Sequence, residues 1–209
     1  MSIGAAVRKP RRTQAERSAT MRARLLDATI DCLFHLGYAR TTTTEIADRA
    51  GVSRGAQLHH FPTKSELVIT AVEHLFQRRR EEFVRAMARL PVREDRAAAA
   101  IDLLWTMVSG PTFYAWLELT VAARSDRLLR ESVAAMSERF RETVERTFRE
   151  LFPPAAESNP LYEVAPRFAF ALMEGLALEK ISLEDRKRIT EVLGALKTLA
   201  RLAIPGRTS

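Results

Sequence analysis

The run Thr41–Phe61, TTTTEIADRAGVSRGAQLHHF, decides how this chain is read. Thr42 followed by Glu45 has capping-box spacing and predicts a helix starting at Thr42. Ile46, Ala47 and Ala50 give that helix an apolar face. Gly51 supplies the left-handed backbone that lets a helix stop abruptly. Ser53 is a ready N-cap for a second helix running to about His60. Pro62 forbids continuation, and Thr63 with Glu66 repeats the capping box for a third helix. Helix, glycine turn, helix is the spacing of a helix-turn-helix, whose second helix enters the major groove of DNA.

The first turn of the second helix, Ser53, Arg54, Gly55 and Ala56, is small and polar, which suits close approach to a phosphate or a base edge. A helix N-terminus also offers free N–H groups and partial positive charge to phosphates. Phe61, with Leu58 or its neighbour, is expected to pack inward. Lys64 lies in the first turn of the third helix, where the helix dipole disfavours a cation, so contact with the DNA backbone explains it better. Two capped helices of any all-α protein share part of this pattern. Here capping, turn glycine, basic neighbour and flanking charge all agree.

Working outward, charge is placed unevenly. Residues 1–64 carry 11 Lys+Arg against 5 Asp+Glu, whereas residues 65–209 carry 22 against 21. The positive excess therefore travels with the helix-turn-helix, the electrostatic footprint of a DNA-binding end on a near-neutral body. The basic arm before it, with Arg8, Lys9, Arg11 and Arg12, can reach phosphates or a minor groove, or is a solvated tail. The chain is long enough for one large or two small domains. Few glycines, prolines and β-branched runs favour an all-α protein. Cys32 is the one cysteine, so no internal disulfide can form; a buried small hydrophobe is favoured over a thiol sensor. No apolar run approaches the ~18 residues of a membrane span, and no signal peptide is visible. The expected location is the cytoplasm, with no membrane partner.

Helical periodicity continues through the chain. A first helix is expected from about Ala15 to Leu36, with Met21, Leu25, Leu26, Thr29, Ile30 and Leu33 on one stripe and Gly37 ending it. Arg17, Arg22 and Arg24 near its start face either DNA or solvent. A long helix runs from Lys64 to about Arg89, and the domain junction is placed inside it. Further helices are expected at Arg93–Ser109, Thr112–Ala123, after Ser125-Asp126 to about Leu151, Tyr162–Lys180 and Leu183–Ala203, about nine in all. The expected domains are a flexible basic arm (1–14), a helix-turn-helix DNA-binding domain (15–70) and a helical C-terminal domain (71–209).

Leu25 to Leu67 closely resembles the DNA-binding domain of TetR-family transcriptional regulators. The matching residues are Gly37-Tyr38, Thr42-Thr43, Glu45-Ile46-Ala47, Ala50-Gly51-Val52-Ser53, Gly55, His59-His60-Phe61 and Lys64-Ser65-Glu66-Leu67. The stretch spans about a fifth of the chain. The family usually carries an aliphatic residue and then a DNA-touching tyrosine where this chain has Gln57 and Leu58. Gln57 is expected to read an adenine, while Leu58 either packs inward or touches a thymine methyl. The DNA-facing set is then Thr42, Thr43, Thr44, Ser53, Arg54, Gly55, Ala56, Gln57, His59, His60 and Lys64.

The resemblance also implies a two-fold dimer on a palindromic operator of double-stranded DNA. Its interface would be a four-helix bundle of the last two helices with their mates, through Phe168, Leu172, Gly175, Leu176, Ile189, Leu193 and Leu196. Gly175 and Gly194 sit mid-helix, where glycine costs about 1 kcal/mol against alanine and suggests close backbone approach. The alternative for all of these is ordinary core. In family members the middle helices enclose a small-molecule pocket. The aromatic and methionine residues concentrated there are Trp105, Met107, Phe113, Tyr114, Trp116, Met136, Phe140, Phe170 and Met173. Glu118 and Glu174 would anchor a cationic or hydroxylated group of an apolar or amphipathic effector. Each of these residues singly also fits plain core.

The leading expectation is a ligand-responsive dimeric repressor; an activator or a co-repressor-dependent regulator uses the same parts. A cytoplasmic all-α enzyme and a protein-binding scaffold are the competitors. The four histidines, His35, His59, His60 and His74, form no metal-ligand spacing, and no phosphate loop or nucleophile motif is present. No catalytic residue, metal or cofactor is expected.

Overall fold

The computed structural model describes residues 13–91, 95–154, 159–183 and 185–204. The basic arm with Arg8, Lys9, Arg11 and Arg12 lies outside the described residues. Among those described there are nine α-helices and no strand. They are α1 (Gln14–Arg40), α2 (Thr43–Ala50), α3 (Arg54–His60), α4 (Lys64–Ala88), α5 (Arg96–Val108), α6 (Pro111–Ala123), α7 (Arg127–Leu151), α8 (Pro160–Ser182) and α9 (Arg186–Ala203). None is long and apolar enough to cross a membrane.

Local chemistry sets most boundaries. Thr13, Thr42, Ser53 and Thr63 each accept an N–H of the helix they precede, and Gly51 closes α2 at φ 63°. α5 begins at Arg96, later than expected, because the Asp95 carboxylate accepts the Ala98 N–H. α8 begins earlier, at Pro160, because Asn159 caps the Leu161 N–H and proline fits the first helical position. Asp185 caps Arg188, so α9 starts at Arg186 rather than Leu183. Gly37 interrupts the helical run of α1 as expected, since its backbone is not helical. It bends it, at φ 74° and ψ 166°, and a last helical turn follows to Arg40.

Four apolar clusters hold the helices. The first, around Leu25, Ile46, Phe61, Leu67 and Ala71, binds α2 and α3 to α1 and the start of α4. A second joins Leu33, Val68 and Val72 to Ala115, Leu119, Leu129 and Met136 of α6 and α7. The helix-turn-helix is thus joined to the later helices through α1, α4 and α6. The third cluster packs Ile101, Phe113 and Met173 against Leu193 and Leu196, and the fourth groups Phe83, Met87, Ala100 and Phe152.

Candidate nucleic-acid interface and effector cavity

On the helix-turn-helix, Thr42, Thr44, Ser53, Arg54, Gly55, Leu58 and His59 are exposed. Thr43, Ala56, His60 and Lys64 are half-buried. Gln57 departs from expectation: its side chain is 0% exposed, and its amide Nε2 donates to the Phe61 carbonyl at 2.7 Å. Its Oε1 has no partner. The adenine-reading role is therefore corrected; this side chain faces the core. The signal was available in the sequence, because Gln57 and Phe61 are four apart and share a helix face. The same register turns Leu58 outward, 44% exposed.

Arg22 and Arg24, open from the sequence between DNA and solvent, are exposed and brace the helix-turn-helix. Arg22 stacks over the Phe61 ring at 4.7 Å, and Arg24 donates to the Gly51 carbonyl at the end of α2. Lys64 turns toward the bend in α1. Its Nζ donates to the Tyr38 carbonyl at 2.6 Å and sits 3.9 Å from the centre of the Tyr38 ring. Burial lowers its pKa from the ordinary lysine value. An ammonium has three donors, so this contact leaves others for an incoming phosphate.

The same bend is held from the body. The Tyr38 N–H donates to Glu118 Oε2 of α6 at 2.6 Å, across 80 residues of sequence. Glu118 therefore does not line the cavity as expected; its carboxylate reaches the other way, to the end of α1. Nothing in the local sequence signals this pairing.

Below the head lies a cavity of about 640 Å³ between α4, α5, α6, α7, α8 and α9. Met107, Phe113, Trp116, Met136, Phe140, Phe170 and Glu174 line it, as expected. Phe76 and Phe83, on the apolar stripe of α4, join them. Trp105, Tyr114 and Met173 do not. Trp105 packs on the third cluster, Tyr114 tilts against Phe34 at 5.7 Å, and Met173 is fully buried core. Burial pushes the Glu174 carboxyl above its ordinary pKa. The Cys32 thiol is fully buried and its pKa is raised by that burial, which suits a packed hydrophobe rather than a sensor.

Of the residues expected on an outer face of α8 and α9, Phe168 and Gly175 are exposed. Leu172 and Ile189 are half-buried against the third cluster. Leu176, Leu193 and Leu196 are buried within the chain's own core, so their assignment to an interface is corrected. Leu178 and Leu199, at helical spacing with these, are exposed, and so are Ile181 and Leu202, which the spacing did not single out. Among the described residues no three His, Cys, Asp or Glu side chains gather as a metal site.

Residues 25–71 match the family described as bacterial regulatory proteins, tetR family. The HTH-type transcriptional regulator CymR of Pseudomonas putida is 32% identical over 191 residues, covering 91% of this chain and 94% of that relative. An uncharacterised HTH-type regulator of Mycobacterium tuberculosis is 35% identical over 149 residues, or 71% of this chain and 75% of the other. In fold, the chain resembles the fatty acid degradation regulator FadR of Bacillus halodurans, with TM-score 0.65, 14% identity, and coverage of 95% and 100%. A head that presents a capped recognition helix, joined to a helical body and matched along nearly the whole length of CymR, places this chain in the TetR family of helix-turn-helix transcriptional regulators.

Proposed function

We propose that the protein is a dimeric repressor, released from a palindromic operator when a small apolar or amphipathic ligand enters the cavity. The observation that carries this reading is the dual role of α4. Its first turns, through Leu67 and Ala71, are part of the core that seats α3. Its later turns present Phe76 and Phe83 to the cavity. A ligand that separates the cavity walls must move α4, and with it the angle of the recognition helix. It acts by binding one position of α4 more tightly than the other, since a ligand of equal affinity for both shifts nothing.

The division into a head (15–70) and a body (71–209) follows the same logic, with α4 crossing between them. Arg54, Leu58 and His59 project from the recognition helix, with Ser53 and Gly55 small enough to let its N-terminus approach phosphates. The exposed apolar residues of α8 and α9 away from the cavity, Leu178, Ile181 and Leu202, suit a second copy of the chain. Two recognition helices would then face half-sites about one helical turn apart.

Mixing the purified protein with sheared genomic DNA of its source at moderate salt, then sequencing bound fragments, tests this. An enriched palindrome whose occupancy falls steeply with salt is the expected outcome. Recovery of random fragments, or of none, overturns it.

A further inference from the structure

Eight charged side chains line the cavity, and seven of them are matched. Arg79 pairs with Glu82 at 2.7 Å, and Arg80 with Glu150 at 3.1 Å. Arg139 pairs with Glu73 and Arg141 with Glu138, while Arg167 lies 3.8 Å from Glu145. Glu174 alone has no ion-pair or hydrogen-bond partner among the described residues. It is half-buried, one helical turn beyond the apolar Phe170.

Aromatic rings lead to it. Trp116 and Phe76 stand 5.9 Å apart, Phe76 and Phe140 4.4 Å, and Phe140 and Phe170 5.5 Å. Phe170 precedes Glu174 by one helical turn on the same face of α8. Ring faces attract cations, most strongly where water is excluded. An anionic ligand would meet guanidinium groups already held by carboxylates, and an unpaired carboxylate that repels it. A cation would satisfy the one lining charge left open.

We infer that the cavity takes a bulky organic cation with apolar arms, its charge held beside Glu174 and its arms against the Trp116–Phe170 row of rings. This rests on the cavity being the effector site and names the chemistry of what it accepts. Tetraphenylphosphonium and tetraphenylborate make a matched pair, alike in shape and opposite in charge. Triphenylphosphine oxide serves as a neutral reference.

Binding of each to the full chain is followed by Trp fluorescence and calorimetry near neutral pH. The phosphonium should bind at least about tenfold more tightly than the borate. Glu174→Gln should shrink that ratio by about tenfold while leaving the affinity for the neutral oxide unchanged, which also shows the variant to be folded. Tighter binding of the borate, an unchanged ratio in Glu174→Gln, or no binding of the phosphonium overturns the inference. The DNA-binding reading stands or falls separately, on recovery of the palindrome by the same preparation without any probe.

Discussion

Gly37→Ala tests the joint between head and body most directly. Gly37 has φ 74° and ψ 166°, a region that L residues avoid, so an alanine there carries about 1–3 kcal/mol of backbone strain. The added Cβ would also lie 2.9 Å from Glu118 Oε2, closer than carbon and oxygen tolerate. The carboxylate must then retreat from the Tyr38 N–H, which it now accepts at 2.6 Å. A hydrogen bond to a charged partner is worth about 1.5–3 kcal/mol, of which a half-buried group keeps only part. The expected loss is therefore about 2–4 kcal/mol, a large share of the stability of an ordinary domain. Urea unfolding followed by circular dichroism measures it, and Glu118→Ala completes a double-mutant cycle. In the Glu118→Ala background the same glycine change should cost less by about 1–2 kcal/mol, because the clash and the bond are already gone. Gly55→Ala is the control: its added Cβ meets nothing within 4 Å and its φ is not positive, so stability should hold or rise by about 0.4–1 kcal/mol. A loss below about 0.5 kcal/mol for Gly37→Ala, or strict additivity with Glu118→Ala, would refute the reasoning.

Replacing one operator thymine by uracil removes only a methyl group; at the base facing Leu58 this should weaken wild-type binding several-fold, and Leu58→Ala should abolish the difference. If no thymine in the half-site behaves this way in gel-shift titrations, Leu58 does not read a methyl. Gln57→Ala should lower stability by about 1–3 kcal/mol through the freed Phe61 carbonyl and the space left behind. Its binding profile across operator variants should keep the wild-type order of preference, and a loss of preference at one base would restore Gln57 as a reader. Leu178→Asp on the outer face of α8 should shift sedimentation from dimer to monomer, with near-native helicity by circular dichroism. A dimer of unchanged strength would move the interface elsewhere.

Much of the fold was legible because its signals are short-range. Thr42, Ser53 and Thr63 cap their helices within three residues, and Gly51 and Pro62 punctuate the chain where the turn needs them. The aromatic and methionine content of the middle helices marked the cavity region, and seven of the residues named there do line it. The errors came from side-chain direction. Gln57 was assigned by residue type, although its spacing to Phe61 placed it on the buried face. Leu176, Leu193 and Leu196 were assigned to an outer face because periodicity finds an apolar stripe without saying what it packs against. In this fold α8 and α9 spend that stripe on α5 and α6, and other leucines face outward.

By itself the sequence determined the helices, the DNA-reading motif and the placement of positive charge, because capping, helical register and composition act over a few residues. Only the tertiary structure decided that Glu118 grips Tyr38, that Lys64 leans on the same bend, and that Glu174 is left unpaired in the cavity. Those outcomes depend on which side chains meet across distant helices, and local spacing holds no record of such meetings.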